Sequence, residues 1–172
     1  MDLLMIILRI IHIASGVFWV GAAVAFFAFV RPSARAIGPD AGRFMAELNV
    51  RRRFPIVVLA SGAVTVLAGL WLYWIDSGGF DLDWIGTGFG ATLTVGAVSA
   101  LIALGIGGGY VRPRADRVGA IGARLGSEGR PPTAEEAQEL ATLNAALDRA
   151  GVAVLILLGV AVIAMAIARY VG

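Results

Sequence analysis

The sequence predicts an all-α, integral membrane four-helix bundle, and three observations predict it. Four stretches are apolar over more than the roughly 20 residues that cross about 30 Å of hydrocarbon at 1.5 Å per residue. The whole chain is 59% hydrophobic and only 15% charged, which is more apolar surface than a soluble domain of 172 residues can hide. Finally, the arginines fall in alternate connections between the apolar stretches, as they do when a chain threads a bilayer back and forth.

The spans run from about 3 to 30, 54 to 75, 85 to 110 and 151 to 171 within one transmembrane domain covering 1–172. Isolated strands are excluded, because an open sheet edge is not tolerated in lipid. The first span is too long for a signal-peptide core. It also lacks a basic flank and a small-residue cleavage pattern, so it reads as a retained helix.

The connection 31–53 carries Arg31, Arg35, Arg43, Arg51, Arg52 and Arg53, and the connection 111–150 carries Arg112, Arg114, Arg117, Arg124, Arg130 and Arg149. The short connection between spans two and three has no arginine, only Asp76, Asp81 and Asp83. The positive-inside rule therefore places both arginine-rich connections in the cytoplasm and both termini outside. Trp71, Tyr73, Trp74 and Trp84 mark the outer interface, where amphipathic rings collect.

The net charge of +2 follows this topology and does not indicate a nucleic-acid partner. The lipid bilayer is the expected partner, and arginines near its surface suit anionic headgroups. Cysteine is absent, so disulfides and thiolate metal sites are excluded.

Gly38-Pro39-Asp40 reads as a turn that starts a helix. The stretch 41–53 is expected to extend span two into the cytoplasm, with Pro55 kinking it near the surface. The stretch 126–132 is rich in Gly and Pro and reads as a mobile loop. Thr133 and Glu136 form a capping-box signature, and the helix they start is expected to run straight into span four. These extensions pack on each other or dock a partner protein.

Chemistry concentrates in the first span. Arg9 and His12, the only histidine, sit inside an apolar helix, where ionisable groups face a bundle interior, a cavity or a partner. Met5, Arg9, His12, Gly16 and Trp19 lie on one stripe at 3.6 residues per turn. Two readings of the stripe stand side by side. In the structural one, His12 hydrogen-bonds a hydroxyl of Ser61, Thr65, Thr92, Thr94 or Ser99. Arg9 then snorkels to the surface or pairs with Asp76, and Gly16 and Gly21 permit close helix packing. In the functional one, His12 ligates haem iron or copper, Gly16 clears space for a flat ring, and Arg9 balances a propionate.

Met5 lies about 10 Å from His12 along the helix axis, too far to chelate one ion with it. Met165 on span four is the only other methionine in a span and the remaining candidate second ligand. A homodimer offers two copies of His12 across a two-fold axis. The glycines from Gly105 to Gly109 end a span and do not follow a strand, so they do not form a phosphate loop. Asp76, Asp81 and Asp83 read as a solvated turn, with a cation site as the alternative.

The segment from Arg9 through His12 and Trp19 to Gly21 resembles the opening helix of the CopD-type copper-resistance domain and of HemJ-type protoporphyrinogen oxidases. Arg53-Phe54 and the stretch 65–69 are similar to the start and end of that group's second span. The resemblance implies a helical, multi-pass protein of the bacterial cytoplasmic (inner) membrane, with His12 as a haem or copper ligand and Trp19 as its companion. HemJ-type proteins pair this histidine with a lysine at the start of span three. This chain has no lysine, and Gly86 to Thr92 offer no basic substitute, which argues against oxidase activity. The alternative function is a non-catalytic membrane subunit or scaffold that docks a partner protein.

Overall fold

A computed structural model describes residues 3–38 and 41–171. The described residues are helical, with no strand among them. Helix α1 spans Leu3–Ile37 and contains a π-helical turn at Ala25–Val30. Helix α2 is Ala41–Ala46, prolonged by a π turn at Glu47–Arg51. Helix α3 is Phe54–Asp76 and α4 is the single turn Leu82–Ile85. Helix α5 spans Gly88–Glu128, with a π turn at Ile106–Val111. Helix α6 spans Ala134–Tyr170. Four of these, α1, α3, α5 and α6, are long and apolar enough to cross a membrane. The chain is thus a multi-pass membrane protein.

The helix ends follow from local chemistry. The Thr87 side chain accepts from the Gly90 amide at 3.0 Å and starts α5. Thr133 and Glu136 form the expected capping box at the start of α6, satisfying donors that the first turn leaves free. Gly129 ends α5 with φ of +61°, a left-handed conformation that glycine adopts without steric cost. Of the turn expected at Gly38-Pro39-Asp40, Pro39 and Asp40 lie outside the described residues; Gly38 has φ of +75°.

The extensions beyond the spans differ from expectation. Span two has none: Arg53 adopts φ of +51° and separates α2 from α3, and Pro55 sits in the first turn of α3. Proline is well suited there because the first turn needs no amide donor, so Pro55 starts the helix and does not kink it. Spans one and three do extend, past Pro32 and Pro113, to Ile37 and Glu128. In both, a π turn comes just before the proline. Widening the turn relieves the clash between a proline ring and the carbonyl four residues earlier. The expected loop 126–132 accordingly shrinks to a short link after Glu128. Span four extends as expected.

The helices form two close antiparallel pairs, α1 with α3 and α5 with α6, with sparser contacts between the pairs. In the first pair, His12 faces Gly69, Gly16 faces Thr65 and Trp19 faces Gly62. Steps of four and three residues along one helix are matched by equal steps back along the other, so this interface keeps a steady register. The second pair closes on small side chains, with Ala100, Ala103, Ala161 and Ala164 buried and Gly96 against Met165. Small residues let helices approach closely in lipid, where van der Waals packing replaces the hydrophobic drive.

The pairs meet around Trp19, Ala23, Val66, Val154 and Leu158, and Gly151 receives the ring of Phe27. Arg31 donates to Asp148 at 2.8 Å and to the Asn144 carbonyl at 3.1 Å. Outward faces carry Val17 and Leu67, 70% and 67% exposed, as suits helices whose solvent is hydrocarbon.

Candidate functional site

The site is built on the α1–α3 interface. His12 Nδ1 lies 2.8 Å from the main-chain carbonyl oxygen of Thr65. A carbonyl oxygen only accepts, and it keeps a second lone pair after its helical bond. Nδ1 therefore carries the proton, and in the neutral ring Nε2 holds the bare lone pair. No hydrogen-bond partner for Nε2 occurs among the described residues, and the ring is half-buried. A Cβ on Gly69 would stand 2.7 Å from the ring's Cε1. Glycine at 69 thus permits the ring to lie flat enough on α3 to reach the backbone.

The partner of His12 is thus a carbonyl, whereas a hydroxyl was expected from the sequence. The Thr65 hydroxyl lies 2.8 Å from both Ser15 Oγ and the Ser61 carbonyl. Ser15 in turn donates to the Ile11 carbonyl at 2.6 Å. Ser61 donates to Val58, and Thr92 to Gly88. Thr94 bonds Gly90 and the hydroxyl of Tyr73.

The other stripe residues separate. Gly16 does not hold open a space: a Cβ there would lie 3.3 Å from the Thr65 methyl, so Thr65 fills the room it leaves. Trp19 is only 5% exposed and belongs to the central core, where its indole lies so close on Gly62 that a Cβ there would stand only 2.7 Å from the ring. Arg9 is exposed and makes no ion pair among the described residues; the pair with Asp76 is not formed. It stands one turn from His12, about 4.5 Å along the axis. Met5 is half-buried. Met165 is committed to the α5–α6 interface, its Cγ 3.2 Å from a Cβ on Gly96, and is not brought against His12.

No group of three or more His, Cys, Asp or Glu side chains suited to a metal occurs among the described residues. In the acidic hairpin, Asp81 accepts from the Asp83 amide at 2.8 Å, capping α4. Asp76 and Asp83 make no side-chain bond there among the described residues.

The arginine-rich end holds a different kind of cluster. Glu136 accepts from Arg124 at 2.7 Å and from Arg130 at 2.7 and 2.9 Å, while also capping α6 through the Thr133 amide at 2.9 Å. The Arg130 bonds, and then the Thr133 amide, hold its carboxyl down at about 2. Arg117 and Glu139 pair at 2.7 Å and lower the Glu139 value in the same way. These pairs clasp the end of α5 to the start of α6.

The seats of the two rings left a trace in the sequence. His12 and Trp19 are seven residues apart, and so are Gly62 and Gly69, a match that an antiparallel pair requires. The Thr65 carbonyl left none, because every residue has one. The chain matches no family model, no curated protein and no solved structure.

Proposed function

We propose that this membrane protein binds haem b through Nε2 of His12, with copper as the alternative occupant of the same nitrogen. The observation that carries this reading is the bond from His12 Nδ1 to the Thr65 carbonyl at 2.8 Å. Histidines that ligate metals usually donate their other ring N–H to a carbonyl or carboxylate, which fixes the tautomer and raises the basicity of the ligating nitrogen. The half-buried ring, whose Nε2 has no partner among the described residues, fits that arrangement.

Haem is favoured over copper by the donor set. The macrocycle supplies four of the iron's ligands, so one axial imidazole suffices. A copper ion needs further protein donors; the chain has no second histidine, and Met165 is committed to the α5–α6 interface. Copper binding would therefore draw on a second copy of the chain. Arg9, exposed one turn from His12, is the residue to pair with a propionate. The absence of lysine points away from HemJ-type oxidase chemistry within the resemblance to that group. The arginine distribution supports an orientation with the arginine-rich end in the cytoplasm, and the bacterial inner membrane is the setting that the resemblance to that group suggests.

An absorbance spectrum with elemental analysis tests the proposal. Detergent-purified protein, expressed with haem and copper supplied, is expected to show a Soret band that His12→Ala removes. Bound copper that depends on His12 would replace haem with the alternative. Neither ligand in the wild type would sink both, and attention would pass to a protein partner at the arginine-rich end.

A further inference from the structure

A cavity of about 120 Å³ lies where the two helix pairs meet, toward the arginine-rich end. It is apolar over most of its wall, and it is the place where all three π turns of the described residues converge. The turn in α1 contributes Phe26 and Phe27, the turn in α2 contributes Asn49, and the turn in α5 contributes Gly107 and Val111. π turns recur at functional sites because each displaces the backbone from the regular ladder. The turns in α1 and α5 also carry those helices past Pro32 and Pro113, whereas no proline follows within the turn that holds Asn49.

Asn49 supplies the second observation. Its Oδ1 is buried, lines this cavity, and has no hydrogen-bond partner among the described residues. A buried amide left unpaired is costly. A ligand hydroxyl removes that cost, and since a hydroxyl both donates and accepts, it can pair with either end of the amide.

Size and walls narrow the class further. A dry engineered cavity of about 150 Å³ accepts benzene, so this space suits a single six-membered ring. Phe26 stands edge-on to Phe27 with centroids 5.3 Å apart and tilted to Phe54 at 5.6 Å, an arrangement ready to receive another ring. The exposed side chains of Arg112 and Asp116 mark the cavity's open side.

We propose that this cavity binds the hydroxylated ring of a lipophile, of the phenol or hydroquinone class, with Asn49 as the polar anchor. The site is separate from the one proposed at His12 and does not rest on it.

The test uses the full chain in lipid nanodiscs and two probes of nearly equal size, 4-hexylphenol and hexylbenzene, titrated by calorimetry. The phenol is expected to bind saturably and about tenfold more tightly, the worth of one hydrogen bond to a buried amide. Asn49→Leu should erase that preference while hexylbenzene still binds. Gly107→Phe should abolish saturable binding of both; Gly107 lines the cavity, and a Cβ there meets nothing within 4 Å, so the fold tolerates the larger side chain. His12→Ala should leave the phenol affinity unchanged, which separates failure here from failure at the haem site. Equal affinities in the wild type would mean that only an acyl chain or water uses the space, and the proposal falls. It falls equally if the preference survives Asn49→Leu or if saturable binding survives Gly107→Phe. Thermal unfolding provides a check on Asn49→Leu: relief of an unpaired amide holds or raises the midpoint, whereas a hidden structural role lowers it.

Discussion

His12 and Trp19 are both rings laid on a glycine, so a single methyl group on α3 reports how tightly α1 and α3 close. An added Cβ at 62 or 69 stands 2.7 Å from the nearest ring atom, inside any real contact. Neither ring can withdraw cheaply: Trp19 is held in the core, and His12 is tied to the Thr65 carbonyl. Gly62→Ala and Gly69→Ala are each expected to cost about 1–3 kcal/mol, the usual penalty of overpacking. Gly21→Ala, where nothing lies within 4 Å, should stay within about 0.5 kcal/mol of the wild type. Equilibrium unfolding in mixed micelles measures all three, and equal losses at all three positions would refute the register. Gly69→Ala should also weaken any Soret band, because it displaces the imidazole; Gly62→Ala should not. At this scale the sequence revealed that His12, Gly16 and Trp19 share a face, which the structure lays on α3. It did not reveal that Gly16 is filled by Thr65, since a glycine that admits a ligand and one that admits a neighbouring helix look alike.

At the scale of the element, the start of α6 and its run into span four were legible, and the continuations of α1 and α5 were not. The Thr133–Glu136 box is a chemical pattern with a fixed spacing, and it appears as written. Pro32 and Pro113 were visible too, and spans one and three were expected to stop before them. The π turns that carry both helices past their prolines depend on backbone strain and leave no side-chain mark. The same holds for Arg53, whose left-handed φ detaches α2 from α3. The clasp at the arginine-rich end yields a prediction whose sign follows from its carboxylate. Folding holds the Glu136 carboxyl at about 2, below the ordinary 4.5. Its contribution is therefore present in full above the ordinary carboxylate range and is lost as pH falls through about 2. Hydrogen exchange of the amides from 133 to 139 should stay protected down to about pH 4.5 and then loosen. Glu136→Gln keeps the capping geometry, since glutamine serves in the box, but removes the charge facing Arg124 and Arg130. That variant should loosen the clasp at neutral pH and leave only the weaker acid dependence of the Arg117–Glu139 pair. A wild-type-like acid transition in the variant would assign the effect to another carboxylate.

For the whole molecule, two closed helix pairs and the charge at their ends combine to fix how the chain should lie in a bilayer. Twelve of its fourteen arginines fall at one end, where α1, α5 and α6 project beyond the length needed to span hydrocarbon. The other end has Arg9, Arg169 and the acidic hairpin. There Trp84 stands edge-on between Tyr73 and Phe89, while Trp71 and Trp74 turn outward, 54% and 51% exposed. Moving an arginine into the bilayer centre costs about 2.5–3.5 kcal/mol on insertion scales, so inverting the molecule would carry a dozen such charges through lipid. The absence of cysteine makes a direct test simple, because any introduced thiol is unique. Leu82→Cys, on α4 where the leucine is 81% exposed, should react with a membrane-impermeant maleimide on intact cells. Ser127→Cys, exposed near the end of α5, should react only after the membrane is opened. The reverse pattern would invert the molecule and carry the His12 site with it. His12 lies nearer the tryptophan-rich end, nine residues from the start of α1, so orientation decides which compartment can deliver haem or copper to Nε2. Labelling of both positions on intact cells would indicate two populations inserted in opposite directions.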